Sequence, residues 1–405
     1  MGDERRGTDS GVKILSTRNK MKDRQLGEKI AQMIMVGFKE AEVGEKSPVV
    51  QAIRDYSLGG VILYNIDLKC FLEAQREKPD LNRHEGARLC PKNIISAAQL
   101  RNLTSTLKSY SKEPLLISID QEGGLVSRLG PAAGFLERES PRELGQRDDL
   151  AKTTNTAEGM AEDLKESGIN LNLAPVVDLA LNPDGPISRN SRSFGNDPEL
   201  VFRHARAFIA AHRQQGIVTV LKHFPGKGSA GKDTHFDLAD VTDLHQEREL
   251  YPFSRLIREG LADLIMTSHI IHRGWDEEYP VTFSAKVLGG LLRKKLGYRG
   301  LIISDDLLMG AIVKQFSLEE ACVLAVQAGV DILLASNNSP EGDDPRLFHR
   351  VYETLLKAVE QGRIPRESIE SSHARIAALK KKLPSASQAF SAAMNGKKAL
   401  PSIPG

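Results

Sequence analysis

Only three cysteines occur in 405 residues, Cys70, Cys90 and Cys322, and they lack the paired spacing of a metal site. No metal and no cofactor are expected. Aromatic residues make up 5% of the chain, and no basic stretch is interleaved with them, so the stacking platform of a nucleic-acid binder is missing. An excess of one charge is missing too: 55 Lys and Arg against 53 Asp and Glu leave a formal net charge of +2. Without a global positive field no nucleic-acid partner is expected. No apolar run reaches the ~18 residues that a membrane span requires. Residues 1–25 are polar and lack the apolar stretch of a secretion signal. The expectation is a cytoplasmic protein, or a periplasmic or secreted one if a signal once preceded this sequence. Cys70 and Cys90 flank a polar insertion, so a disulfide is conceivable in an oxidising compartment. Cys322 sits in an apolar helical pattern and reads as core.

The chain does contain eight short apolar runs alternating with amphipathic stretches of helical period. They are MIMVGF (33–38), GVILY (60–64), LLISID (115–120), LNLAPVVDL (171–179), IVTVLKHF (217–224), DLIMTSH (263–269), LIISDD (301–306) and DILLAS (331–336). Ser96 with Gln99 and Ser317 with Glu320 read as capping boxes, and Gly168 and Gly216 sit where helices end. Apolar strands separated by helices demand a parallel sheet covered on both faces. Eight such units favour a closed (β/α)8 TIM-type barrel over an open doubly wound sheet. The division expected is a flexible tail over 1–22, a single α/β catalytic domain over 23–382 and a flexible tail over 383–405. Residues 65–95 form an unusually long connection, of the kind that is functional or mobile. A monomer is expected.

In a barrel, chemistry gathers where strands end at their C-terminal face. Asp120, Asp178, Lys222 with His223, His269, and Asp305 with Asp306 all stand at such ends. Asp and Ser there also cap the helices that follow. Lys and His do not, and cations beside carboxylates suggest recognition of hydroxyl groups.

The stretch KHFPGKGSAGKDTH (222–235) imitates a phosphate loop twice, as G-x-G-x-x-G from Gly226 and as G-x-x-x-x-G-K. A Walker loop needs Ser or Thr where Asp233 stands, and it runs into a helix, whereas THFDLADVT shows no helical period. A dinucleotide loop needs an acid at the end of the next strand, which instead ends in Thr267, Ser268 and His269. A third reading makes the glycines the hinges of a mobile loop that presents His235 to a sugar.

That stretch resembles the K-H-F-P-G-H-G loop and terminal D-S-H of the glycoside hydrolase family 3 β-N-acetylglucosaminidases. IDQEGGLVSRL (119–129), LNLAPVVDL (171–179), NSRSFGNDP (190–198) and LIISDDLLMGA (301–311) follow the same family in the same order. The resemblance spans about residues 23–340 and is to the single-barrel members. It implies exo-acting, retaining hydrolysis of terminal β-linked N-acetylglucosamine, from cell-wall muropeptides or chitooligosaccharides, through a covalent glycosyl intermediate. By match, Asp305 is the nucleophile, His235 the acid/base and Asp233 its orienting partner. Asp120, Arg128, Arg192, Lys222 and His223 match the residues that hold the sugar's hydroxyls and N-acetyl group. Three residues depart from the pattern: Lys227 stands where the family usually has His, Leu125 where it usually has Arg, and Thr234 where it has Ser. A glycoside phosphorylase with phosphate as acceptor, and a catalytically silent sugar-binding barrel, are the alternatives.

Overall fold

The eight apolar runs form eight strands in the computed structural model, which describes residues 24–231, 234 and 237–383. They are β1 (Ile34–Val36), β2 (Gly60–Ile62), β3 (Leu116–Ile119), β4 (Leu171–Asn172), β5 (Val218–Phe224), β6 (Leu264–Thr267), β7 (Leu301–Ile303) and β8 (Leu333–Ala335). All pair in parallel, in the order β7-β6-β5-β4-β3-β2-β1-β8. A further parallel bridge between Ile303 and Ile332 joins the two ends of that order, and Ser304 N–H donates to the Ile332 carbonyl at 3.0 Å. The ring is closed, which excludes the open sheet. Every residue of these strands is buried, because side chains fill the barrel on one face and helices cover the other.

The strands are shorter than the apolar runs. β4 stops at Asn172 because Pro175 has no N–H to donate, and only Val176 regains a bridge, to Lys222 of β5. The helix Pro198–Gln214 shows how the outer layer forms. Asp197 caps it, Pro198 occupies its first turn, and Val201, Phe202, Ala205, Phe208 and Ile209 line one buried face. Gly216 follows it at φ 76°, and Gly168 serves the preceding helix Leu150–Glu166 at φ 73°. The two expected capping boxes form only by half. Ser96 and Ser317 accept the N–H of Gln99 and Glu320, but the Gln99 side chain accepts from Ile95 and donates to the Ala41 and Asn93 carbonyls.

The long connection over 65–95 is not structureless. It carries two short helices, Leu68–Glu77 and Arg83–Leu89, capped by Asp67 and Asn82. Cys70 and Cys90 are bonded as a disulfide, and Ile66, Phe71, Leu81, Ala87 and Cys90 form a small core that packs against Ala132.

At the opposite end of the barrel the helix Arg366–Lys380 is bound through two buried groups. Asp331 accepts hydrogen bonds from Arg293, Arg375, Ser372 and the Ile302 N–H, all within 2.9 Å. Lys380 donates to Gln32 Oε1 at 2.7 Å and the Gly59 carbonyl at 2.9 Å, and burial lowers its pKa to about 7. The segments read as flexible tails lie almost wholly in residues 1–23 and 384–405, outside the described residues.

Candidate active site

The barrel mouth is built first around Gln121. Its backbone N–H donates to Asn172 Oδ1 and its carbonyl accepts from Asn172 Nδ2, both at 3.0 Å. Asn172 in turn touches His212 Nε2 at 3.0 Å. Burial lowers the His212 pKa to about 4, so that ring is neutral and accepts. The Gln121 side chain accepts the N–H groups of Arg128 and Leu129 and donates to the Leu129 carbonyl. This folds a tight hairpin whose turn uses Gly123 at φ 99° and Gly124 at φ 59°; a Cβ on Gly123 would lie 2.2 Å from the Glu139 carbonyl oxygen. The hairpin brings Arg128 back to Asp120, with Nη2 3.2 Å from Oδ2.

Charges then interlock across three strand ends, those of β3, β4 and β5. Lys222 Nζ lies 2.8 Å from Asp120 Oδ1 and 2.7 Å from Glu122 Oε1. Glu122 grips Arg192 by two bonds, of 2.8 and 2.7 Å, in the bidentate geometry a guanidinium favours. Burial pushes the Asp120 and Glu122 carboxyls up, but Lys222 and Arg128 on the first, and Arg192 and Lys222 on the second, hold both below their usual range. Burial likewise pushes Lys222 down, and Asp120 and Glu122 outweigh it. Asp120, Glu122, Lys222 and Arg192 are therefore ionised at neutral pH. Arg192 Nη2 stands 3.5 Å from His223 Nε2, and His223 Nδ1 lies 2.7 Å from Asp178 Oδ2. Burial raises the Asp178 carboxyl to about 6, so above that pH it fixes the ring with the proton on Nδ1 and leaves Nε2 to accept.

Asp305 follows β7 and is 9% exposed. Its N–H donates to Thr267 Oγ1 at 3.3 Å, and its Oδ1 accepts the Asp306 N–H at 2.9 Å. Lys227 Nζ stands 3.7 Å from Oδ2. Asp306 points elsewhere: its Oδ1 accepts the N–H groups of Leu308 and Ser336, which ties the turn after β7 to the end of β8, and it does not cap the next helix, Gly310–Val313, whose N-cap is Met309. His269 is fully buried, bonded to Thr282 Oγ1 and the Asp306 carbonyl, and so supports the turn from behind.

The loop after β5 overturns one expectation. Its first glycines are not hinges. Gly226 adopts φ 110°, and a Cβ on Gly228 would lie 1.7 Å from the Leu179 carbonyl oxygen. The N–H groups of Gly228 and Ser229 both point at Glu249 Oε2, at 2.9 and 3.3 Å, and Lys227 N–H points at Asp178 Oδ1 at 2.9 Å. The amides that would cradle a phosphate already hold buried carboxylates, so both phosphate readings fail for a geometric reason. Glycine is needed here for close packing. Further on, the Thr234 carbonyl accepts from Ala311 N–H at 3.3 Å and Asp237 pairs with Lys314 at 2.9 Å, which ties the loop to the segment following β7. Asp233 and His235 lie outside the described residues.

Asp120, Arg128, Arg192, Lys222, His223 and Asp305 thus meet at one end of the barrel. Of two further residues in the same network, Glu122 carries no role in the sequence reading, and Asp178 enters it only as a strand-end acid that could equally have capped a helix. Glu122 lies inside IDQEGG, two residues past Asp120, and the alternation of a strand would have pointed it the same way.

The chain matches the model of the "Glycosyl hydrolase family 3 N terminal domain" over residues 25–379. It is 33% identical over 329 residues to "Beta-hexosaminidase A" of Pseudoalteromonas piscicida, covering 76% of this chain and 55% of that protein. A solved family 3 β-N-acetylglucosaminidase from a Paenibacillus strain superposes with a TM-score of 0.76 at 32% identity, over 88% of this chain and 62% of the other. The β-N-acetylhexosaminidase of Beutenbergia cavernae superposes at 0.73 and 27% identity, over 88% of this chain and 98% of that one. This chain therefore spans little more than half of the first relative and about all of the last.

Proposed function

The chain belongs to glycosyl hydrolase family 3, and from that premise we propose that it removes terminal β-linked N-acetylglucosamine residues by a retaining mechanism. Cell-wall muropeptides and chitooligosaccharides are the substrates in view. The observation that carries the reading is a single connected charge network at the C-terminal end of the barrel. It runs from Asp120 through Lys222, Glu122, Arg192, His223 and Asp178 to Lys227, whose ammonium faces Asp305.

In this reading Asp305 attacks the anomeric carbon while the bond to the leaving oxygen breaks, and His235 gives that oxygen its proton. A water then attacks the glycosyl ester, His235 takes the water's proton, and the Asp305 carboxylate departs. Asp233 orients the imidazole of His235. In this reading Asp120, Arg128, Arg192, Lys222 and His223 hold the terminal sugar, and their pre-formed arrangement sets the anomeric carbon against Asp305. Glu122 orients Arg192 and Lys222, and Asp178 orients His223.

A slow 5-fluoro-N-acetylglucosaminyl or 2-deoxy-2-fluoroglucosyl substrate should label Asp305, as read by peptide mapping. A label on Asp306 or Glu122 would overturn the assignment. Turnover of an aryl β-N-acetylglucosaminide should be the same with and without phosphate, since the amides of the glycine loop are already engaged.

A further inference from the structure

Glu249 is a buried acid outside the charge network, and two of its three backbone partners lie directly after Lys227. It stands as the third residue of a short helical turn, Glu247–Leu250, that Gln246 caps. One oxygen serves that local purpose: Oε1 accepts the Gln246 N–H at 3.1 Å. The other reaches back along the chain, where Oε2 accepts the Gly228 N–H at 2.9 Å and the Ser229 N–H at 3.3 Å. Successive N–H groups converging on one oxygen form an anion nest, and here the chain supplies the anion itself.

The Glu249 side chain is fully buried, and no Lys or Arg pairs with it among the described residues. His245 Nε2 stands 4.0 Å from Oε1 and donates to the Pro225 carbonyl at 3.3 Å, but burial lowers the pKa of that ring, so at neutral pH it brings no charge. A buried carboxyl without a cation is costly, and the cap uses only one of its oxygens. The loop accounts for the second. Lys227 comes just before the nest, with its N–H on Asp178 Oδ1 at 2.9 Å and its ammonium 3.7 Å from Asp305 Oδ2. The Ala230 N–H returns to the Lys227 carbonyl at 3.1 Å, and a Cβ on Gly226 would lie 2.7 Å from the Glu249 Cβ. The backbone of Lys227 is thus clamped from two sides, by Asp178 at its own N–H and by Glu249 at the next two.

We propose that Glu249 is a positioning residue for the reaction: its carboxylate is a built-in anion that fixes the turn at Gly228 and Ser229 and thereby sets Lys227 against Asp305. This rests on the hydrolase reading above and adds a residue to it.

The test is chemical rescue. Glu249→Ala empties the nest, and kcat/KM on an aryl β-N-acetylglucosaminide should fall by about tenfold to a hundredfold, as a misplaced catalytic group implies. Formate, a free carboxylate, should raise the rate of this variant at least about fivefold with saturation, whereas neutral formamide should not. The wild type should respond to neither, and the product should be the free sugar, because the anion acts through the loop. On a Lys227→Met background the loss from Glu249→Ala should be smaller than in the wild type. Circular dichroism and thermal melting check the fold. Glu249→Gln keeps the shape and one acceptor oxygen; its kcat/KM should fall by about threefold to tenfold, and it carries the test if the alanine variant does not fold. The role is overturned by an unchanged kcat/KM in either folded variant, by a loss that formate does not lessen, by a glycosyl formate product, or by equal losses on the two backgrounds. A wild type that turns over no aryl β-N-acetylglucosaminide overturns the hydrolase reading and takes this role with it.

Discussion

Lys227 joins two carboxylates from different strands: its ammonium stands 3.7 Å from Asp305 Oδ2 and its backbone N–H lies 2.9 Å from Asp178 Oδ1. The side chain is buried, so the charge beside Asp305 is poorly screened. Lys227→Met should lower kcat/KM on an aryl substrate by about tenfold to a hundredfold, because the pairing that positions Asp305 is lost. Gly228→Ala should do more harm with no charge change, since its Cβ has no room beside the Leu179 carbonyl. Kinetics and thermal melting of both variants separate the effects: the first should keep its melting temperature and the second should not.

His235 is distinguished by the leaving group. If it supplies the proton, His235→Ala should slow natural linkages by at least about a hundredfold, while the first step on a dinitrophenyl glycoside is nearly preserved. Asp233→Ala should show a milder form of the same pattern. Pre-steady-state release measures both, and an equal loss on both substrates would assign His235 to binding only.

Asp178 predicts a pH limb. Its carboxyl, raised to about 6 by burial, holds His223 only while ionised, so kcat/KM should fall as pH drops through about 6. Asp178→Asn should lose at least about tenfold at neutral pH and no longer show that limb. Stability runs the opposite way. A carboxyl whose folded pKa is raised binds its proton more tightly in the native state, so its contribution declines as pH rises from about 4 to 6.

Lys380 predicts a slope in stability on the alkaline side. Burial lowers its folded pKa from 10.5 to about 7. Between those values the unfolded chain keeps the proton that the folded one releases, so stability rises with pH across the window, by on the order of 5 kcal/mol at most. Lys380→Met should lack this rise. Denaturant titrations at pH 6.5 and 9 read it, and parallel behaviour of the two proteins would remove Lys380 from the account.

The Cys70–Cys90 bond closes a separation of 20 residues. Thiol counting in denaturant without reductant should find one free thiol, Cys322, after folding under oxidising conditions. Reduction should destabilise the insertion by roughly 3 kcal/mol. Three free thiols would reject the bridge.

All eight strands were legible because each is a continuous apolar run, the pattern imposed by burial on both faces, and Gly168 and Gly216 marked helix ends because a left-handed residue is needed there. Asp120, Lys222, His223 and Asp305 were legible as ionisable groups ending such runs. What the pattern could not carry was pairing between distant segments. Nothing in the order of residues says that Glu249 fills the amide nest of Gly228 and Ser229, and with that nest unread the glycines looked like hinges or a phosphate loop. Nor does local sequence say that Glu122 will bind Arg192, seventy residues on, or that Asp178 will fix the ring of His223. The sequence determined the strands, their polar ends and the family. The tertiary structure decided which charge meets which, because those contacts are made only once β3, β4, β5 and β7 close into one ring.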